Sequence, residues 1–423
     1  MNLLTRNKKS ATRSDKPPEK PLMRLTLFFA FAYVSHGLAS QFGLIAQPLQ
    51  YYMMRGLNMT AAQVSSYLAI MMLPWALKPL YGLVFDFVPW LGYRRKSYLV
   101  AVNLLAALSL GIMSISVSLG VVRWMLMLSA ASIAASTALT VGVAVEEGRK
   151  DGKARQYFAG QTFWYYSAII AASICGGFLC HQFAPEAALS TAAAVALVPP
   201  LLVSTLTLFT VKEERATFNR EQLKQTLNAM TVALRSPALW LAALFIFCWD
   251  FSPSFGVPLY FYESNTLHFS QQFIGQLGAF NALGMVVGAL VYRWLLQQRS
   301  VKQQLLIALA AGTVSTLAYV LISSEASAIE LELARGLTTM VAILGIYGLA
   351  ADVCPKGTEV SVMAALLAVR SLAMEGSTYL GGQLFTNVFH NHFSPLVLIA
   401  AATTAACAVL LPWLGTRQKV SEQ

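Results

Sequence analysis

The sequence predicts an all-α membrane protein, in which twelve transmembrane helices form two pseudo-symmetric sets of six. Of the 423 residues, 57% are hydrophobic and only 12% are charged, whereas soluble domains carry about 25% charged residues. Apolar runs long enough to cross a bilayer recur along the whole chain, and basic residues collect in the gaps between them. This composition excludes a soluble enzyme, a disordered chain and a nucleic-acid-binding domain, so the solvent of this chain is mostly lipid.

A membrane helix needs about 20 consecutive apolar residues to cross the hydrocarbon core. The runs of that length lie at 24–46, 62–85, 97–117, 124–145, 157–180, 189–211, 237–260, 272–295, 303–323, 329–351, 360–384 and 394–415.

One interval between these runs is both long and charged, and it falls between the sixth and seventh runs. We therefore expect a basic tail (1–23), an N-terminal half (24–211), a linker (212–236), a C-terminal half (237–415) and a short tail (416–423).

The distribution of Lys and Arg predicts the orientation. With the N-terminus inside, the inner segments together with Arg24 and Arg293 at the inner ends of their runs hold 25 of the 30 basic residues, and the outer loops hold only Arg55 and Arg123. Cytoplasmic loops carry the positive charge of membrane proteins. We therefore expect both termini in the cytoplasm, and the net charge of +11 reflects topology and not a nucleic-acid partner.

The first residues contain no apolar core, which excludes a cleaved signal peptide, and their acids and prolines disfavour an organelle transit sequence. We expect the inner (plasma) membrane of a bacterium. The five scattered cysteines form no CxxC pair, so neither a disulfide nor a zinc site is predicted.

The second run ends in an ordered set of glycine, acid and basic residues. It comprises Gly82, Asp86, Gly92 and the run Arg94–Lys96. An acid at one helix end can pair with cations at the start of the next helix and so latch one conformation, and plain positive-inside charge is the alternative. The set and the six-plus-six plan resemble the major facilitator superfamily. That resemblance implies a substrate site near the membrane midplane, between halves that rock to expose it to each side in turn.

Three longer stretches resemble the folate–biopterin transporter (BT1-like) family. They are LPWALKPLYGLVFDFVPWLGYRRKSYL in and after the second run, the Pro253–Gly275 segment with its P-S…Y-F-Y…L-H-F-S…F-I-G pattern, and Cys354-Pro-Lys-Gly-Thr-Glu359. The resemblance implies transport of folate or pterins, and Glu359 joins the candidate loop latch.

The fourth run departs from that family's acidic pattern. The chain reads Ser136-Thr-Ala-Leu-Thr-Val-Gly-Val-Ala-Val-Glu146-Glu147, where family members often carry intramembrane acids. Another bulky anion, such as a siderophore or a cell-wall fragment, therefore stays open as a substrate, in uptake or in efflux. A non-transporting receptor is a further alternative, although a receptor needs no midplane charges.

Ionisable residues inside the membrane are costly, at about 3 kcal/mol each on insertion scales, so they indicate function. The clear cases are Lys78, Asp250, Arg370 and Glu375, with Arg335 and His36 as weaker ones.

Arg370 lies near the middle of the eleventh run, and its guanidinium can bind a carboxylate through two hydrogen bonds. We expect it to anchor an anionic group of the substrate. A structural ion pair with Asp250 or Glu375 is the alternative. Lys78, between Pro74 and Pro79 on a helix expected to bend, provides a second cation, which suits a substrate with more than one carboxylate.

Asp250 precedes Pro253 and Pro258 on a run that must break near the cavity. Carboxylates in apolar surroundings can exchange a proton as a cavity opens and closes, so Asp250 and Glu375 are the candidates for proton coupling. His36 could bind substrate or relay a proton, and ordinary hydrogen bonding is its alternative.

Aromatic and amide side chains complete the candidate substrate site. Trp75, Trp249, Trp164, Tyr165 and Tyr166 could stack a flat ring, although packing explains such residues equally well. Weaker candidates are the amides Gln161, Asn281 and Gln383.

No Walker-type phosphate loop and no catalytic Ser/His/Asp set occurs in the sequence. The chain is therefore expected to be neither an enzyme nor an ATP-driven pump, and no cofactor or metal is predicted. It should be a monomeric secondary transporter, driven by protons, of a small anionic organic solute.

Overall fold

The computed structural model describes residues 19–151, 154–218, 234–354 and 359–414, together with single residues of the segment between 219 and 233. In these ranges the regular structure is helical, apart from one isolated bridge between Trp90 and Tyr93. This finding confirms the predicted all-α fold.

Nine helices form the N-terminal half between residues 19 and 210. They are α1 (Glu19–Leu38), α2 (Ala46–Tyr51), α3 (Ala61–Met72), α4 (Lys78–Phe87), α5 (Lys96–Ile115), α6 (Leu119–Asp151), α7 (Ala154–Gln182), α8 (Pro185–Ala196) and α9 (Val198–Thr210).

Seven further helices build the C-terminal half. They are α10 (Pro237–Asp250), α11 (Gly256–Asn265), α12 (Gln271–Val291), α13 (Val301–Ala318), α14 (Glu325–Val353), α15 (Glu359–Gln383) and α16 (Phe393–Ala406). Short π- or 3-10-helical segments extend several helices of both halves, at Tyr52–Gly56, Leu73–Leu77, Tyr292–Leu296, Tyr319–Leu321, Leu384–Val388 and Cys407–Trp413.

Within the described residues, nine helical segments are long and apolar enough to cross a membrane, and all nine coincide with predicted runs. Shorter apolar helices, Leu25–Leu38 and Pro237–Asp250, occupy the first and seventh runs. The eleventh run is α15, which carries Arg370 and Glu375. The number of twelve spans itself stays a prediction.

Two of the helices are interrupted where the sequence predicts it. Between α3 and α4 the chain forms a 3-10 segment, Leu73–Leu77, which begins one residue before Pro74. Proline removes a backbone donor and clashes with the preceding turn, so a regular α-helix cannot continue there. Between α10 and α11 the chain is not helical over residues 251–255, a stretch that includes Pro253.

The break after α10 is supported by its neighbours in the C-terminal half. The Ser377 hydroxyl donates to the Ser252 carbonyl, and the Ser254 N–H donates to the Ser377 carbonyl at 3.2 Å. The Ser252 hydroxyl donates to the Ala400 carbonyl at 2.8 Å. Unwound backbone at membrane depth needs such partners because lipid supplies none. The break is therefore a fixed feature of the fold.

The two halves meet closely at one end of the bundle, opposite the chain ends at Glu19 and Leu414; we call it the far end. Hydrogen bonds cross between the halves there, from the Gln47 amide to the Gln271 carbonyl at 2.7 Å, from Arg55 to Ser264 at 3.3 Å, from the Ala62 N–H to Thr386 at 3.1 Å and from Gln383 to Ser66 at 3.0 Å.

Glycines allow helices of the two halves to touch at the far end. A Cβ added to Gly275 of α12 would lie 2.6 Å from the Gly177 Cα of α7. Small residues permit such close approach of helix backbones in membranes. The far end of the structure is therefore closed.

At the opposite end, which we call the tail end, a glutamate holds the start of α5. The Glu213 carboxylate accepts hydrogen bonds from the backbone N–H groups of Arg94 at 2.9 Å, Arg95 at 3.1 Å and Lys96 at 2.8 Å. Gly92, with φ of +83°, provides the left-handed turn before them. A carboxylate at a helix N-terminus satisfies unpaired donors and complements the helix dipole.

Replacing Glu213 by Ala should lower the free energy of unfolding by about 1–2 kcal/mol, because three backbone donors lose their acceptor. Thermal unfolding of the purified protein in detergent measures this. Glu214→Ala, at an exposed neighbouring side chain, is the matched control and should leave the unfolding temperature unchanged. Equal effects of the two substitutions would contradict the capping role.

Replacing Gly275 by Ala should destabilise the closed far end by about 1–3 kcal/mol, because the added methyl group meets backbone atoms that cannot move aside freely. Gly312→Ala in α13 is the control, since a Cβ there meets nothing within 4 Å. Thermal unfolding should separate the two variants, and an unchanged Gly275→Ala protein would argue against tight contact of α7 with α12.

Candidate functional site

An ion pair lies at the break after α10. Asp250 is the last residue of α10, and its Oδ2 atom is 3.3 Å from Nε of Arg370, near the middle of α15. A carboxylate at a helix C-terminus is disfavoured by the helix dipole, so the guanidinium compensates it. The alternative that the sequence left open for Arg370, a pair with Asp250, is therefore present in the structure.

The Arg370–Asp250 pair keeps unused hydrogen-bonding capacity. Arg370 Nε and Asp250 Oδ2 are buried, and neither atom forms a hydrogen bond of acceptable geometry within the described residues. The Arg370 side chain nevertheless retains 18% of its surface accessible and that of Asp250 retains 11%. Since a guanidinium has five donors, Arg370 can bind a further acceptor.

Lys78 supplies a second cation from the N-terminal half. It is the first residue of α4, directly after the 3-10 segment. Its Nζ atom lies 4.2 Å from the centre of the Trp75 ring, a cation–π contact. The Trp75 indole donates to Gln41 at 3.1 Å. Lys78 is close enough to Arg370 for the two cations to repel each other.

Three tyrosines lie near these charges. Tyr165 and Tyr166 of α7 meet edge to face, with ring centres 5.2 Å apart. Tyr347 of α14 lies close to both, and Tyr166 lies close to Arg370. We call Lys78, Asp250, Arg370, Tyr165, Tyr166 and Tyr347 the central cluster. Tyr347 was missed in the sequence, where a single tyrosine inside an apolar run gives little signal.

His36 lies inside the N-terminal half. Its Nε2 atom is 3.0 Å from the Ser136 hydroxyl, and Asn103 donates to the same hydroxyl at 3.1 Å. Only 4% of His36 is exposed. Ordinary hydrogen bonding, the alternative considered for this histidine, therefore describes its contacts. Ser136 begins the stretch that departs from the acidic family pattern.

The other candidate residues differ in their packing and exposure. Trp249 packs edge to face on Phe245, with ring centres 5.5 Å apart, and Gln161 and Glu375 are half-buried. Trp164 is 40% exposed.

Two further candidate amides support helix contacts. Gln383 bonds Ser66 at the far end, and Asn281 donates to the Glu332 carbonyl at 3.3 Å.

The predicted loop latch is described only in part. Arg95 pairs with Glu146 of α6 at 2.6 Å and donates to the Gly142 carbonyl at 2.7 Å. These contacts stay within the N-terminal half. The side chains of Asp86 and Glu359 lie outside the described residues.

A second group of buried charges lies nearer the far end. Arg335 pairs with Glu332 at 2.6 Å, Tyr319 donates to Glu332 at 2.7 Å, and Glu263 is 4% exposed. We call these four residues the far-end cluster. Arg335 was singled out in the sequence, but Glu332, three residues before it, was overlooked. Glu263 lies three residues beyond the predicted seventh run.

Comparison with known families identifies the chain over most of its length. A sequence model of the BT1 family matches residues 36–420. The folate-biopterin transporter of Synechocystis sp. is 24% identical over 388 residues, which cover 88% of this chain and 78% of that protein. Folate transporter 2 of Plasmodium falciparum is 24% identical over 347 residues, covering 79% and 76%.

Solved structures of transporters share the fold. The nucleoside transporter NupG superposes with a TM-score of 0.69 at 12% identity and covers 94% of this chain and 100% of its own. The D-xylose-proton symporter superposes with a TM-score of 0.71 at 12% identity, covering 92% and 97%. The fold is that of the major facilitator transporters, and the chain belongs to the BT1 family of multi-pass membrane transporters.

Proposed function

We propose that this transporter moves a small, planar, anionic organic solute, folate- or pterin-like, by alternating access and together with protons. The observation that carries the proposal is the charge balance of the central cluster. Lys78 and Arg370 provide two cations from opposite halves, and Asp250 provides one carboxylate. A net positive charge at membrane depth is costly unless an anion joins it.

The chemistry of the cluster suits a carboxylate attached to a flat ring. Arg370 binds carboxylates through parallel hydrogen bonds, and Lys78 can meet a second carboxylate as a point charge. Tyr166 lies close to Arg370, and its ring and those of Tyr165 and Tyr347 can pack on an aromatic system. Relatives named folate or folate-biopterin transporters support this substrate class.

Proton coupling follows from competition for Arg370. When Asp250 is ionised, it holds the guanidinium at 3.3 Å and competes with a substrate carboxylate. When Asp250 is protonated, Arg370 is released to bind the substrate. A proton and the anion therefore bind together, which is the requirement for symport.

The closed far end supports alternating access. In this conformation the central cluster is shut off by the contacts of Gln47, Arg55, Ala62 and Gln383 across the halves. Rocking of the halves would open that end and close the other. With both termini in the bacterial cytoplasm, as the basic residues predict, the closed far end is the outer end.

Replacing Arg370 by Gln should weaken folate binding about 10- to 150-fold, the loss of about 1.5–3 kcal/mol from hydrogen bonds to charged groups. Binding of radiolabelled folate to the purified protein measures it, with pterin and a ferric siderophore as competitors. Arg299→Gln, at an exposed side chain, is the control. Because Asp250 loses its cation, the double variant with Asp250→Asn tests binding in a chain free of an unpaired carboxylate. Wild-type binding by the double variant would contradict the anchor role.

Replacing Asp250 by Asn should abolish the stimulation of folate uptake by an inward proton gradient, while exchange of folate across vesicles continues, because Asn cannot carry the proton. Uptake and exchange in proteoliposomes distinguish the two effects. Glu375→Gln is the matched comparison on α15. Loss of stimulation in Glu375→Gln alone would move the coupling role from Asp250 to Glu375.

A further inference from the structure

A cavity lies between the halves in the far-end region. It has a volume of about 200 Å³ and is lined by residues of both halves, among them Gln47, Gln50 and Ser173 from the N-terminal half and Glu263, Glu332 and Arg335 from the C-terminal half. This space is separate from the ion pair of Arg370 with Asp250, because none of the central cluster lines it. Its charges come entirely from the far-end cluster.

Glu332 is a fully compensated carboxylate. Its Oε2 atom accepts from Arg335 Nη2 at 2.6 Å and from Arg335 Nε at 3.2 Å. Its Oε1 atom accepts from the Tyr319 hydroxyl at 2.7 Å. The charge of Arg335 is therefore compensated by Glu332 on the same helix.

Glu263 is a second buried carboxylate without such compensation. It is 4% exposed, it faces the cavity, and within the described residues its side chain has no hydrogen-bond partner. Glu332 repels it, and the attraction of Arg335 is shared with Glu332. The cavity thus holds two acids and one cation. Gln50 adds a buried amide oxygen that also lacks a partner within the described residues.

Other ionisable groups around Glu263 supply no second cation inside the cavity. On its own helix, Tyr260 donates to Gln271 at 2.8 Å. Arg55, from the π-helical segment after α2, donates to the hydroxyl of Ser264, the next residue of α11, and it acts electrostatically on Tyr260. Cys180 and Tyr51 also act on Tyr260. Glu186 acts electrostatically on Tyr51.

We propose that Glu263 is a proton-binding site whose protonation accompanies closure of the far end. An ionised carboxylate without its own cation is costly when buried between the halves, and a protonated one removes that cost. When the halves separate, water enters and Glu263 ionises. Closure therefore takes up a proton and is favoured as the pH falls. The inference rests on the alternating access proposed above, but it requires neither the substrate nor the central cluster.

Spin-label distances across the far end test this proposal. Labels are placed at Ala184 in the N-terminal half and at Thr266 in the C-terminal half, both exposed, in the full chain with its five native cysteines replaced. The pH is raised from about 5 to about 9, a range around the ordinary titration of acidic and histidine side chains. Over this range the ratio of the closed, short-distance population to the open, long-distance population should decrease at least about tenfold. Glu263→Gln should keep the short distance at every pH.

Matched variants and a cation control make the test specific. Glu330→Gln, an exposed acid on α14, should behave as the parent, and Glu263→Asp should retain the pH response. Infrared spectra of the parent should contain the band of a protonated carboxyl group that Glu263→Gln lacks, a readout that does not depend on the spin labels. An unchanged pH response in Glu263→Gln, a parent distance that ignores pH, or closure driven by added sodium at constant pH would overturn the proposal.

Discussion

The ion pair of Arg370 with Asp250 is the interaction on which the account of this transporter depends. A guanidinium buried at membrane depth requires a partner. The break after α10 places the Asp250 Oδ2 atom 3.3 Å from Nε of Arg370. The break is in turn held by Ser377 and by the Ala400 carbonyl. Removing either the break or the acid would leave a buried cation uncompensated. Fold and chemistry are thus coupled through one contact between α10 and α15.

The buried charges described here form two separate groups. The central cluster has more cations than acids and suits an anion, whereas the far-end cluster has more acids than cations and suits a proton. The imbalance of the far-end cluster faces a cavity between the halves. The Arg95–Glu146 pair, by contrast, lies within the N-terminal half.

Much of this architecture could be predicted from the sequence because lipid imposes strong rules on composition. The apolar runs predicted the helices, and the prolines around Lys78 and after Asp250 predicted both interruptions. Side-chain partners were harder to predict, because hydrogen bonds such as His36 with Ser136 join residues 100 positions apart. Glu263 gives little signal as a buried acid because it lies just beyond an apolar run, and Glu332 because it lies near the start of one. The capping role of Glu213 could not be predicted, because this residue lies in a polar segment where acidic residues are common.

Proton uptake during substrate binding tests the central claim most directly. Purified protein is titrated with folate in weakly buffered solution at a pH where Asp250 is ionised in the absence of substrate, and the pH is followed. If the substrate carboxylate replaces Asp250 on Arg370, about one proton is taken up for each folate bound, and Asp250→Asn binds folate without proton uptake. Folate binding by the parent protein with no proton uptake at any pH would contradict the account.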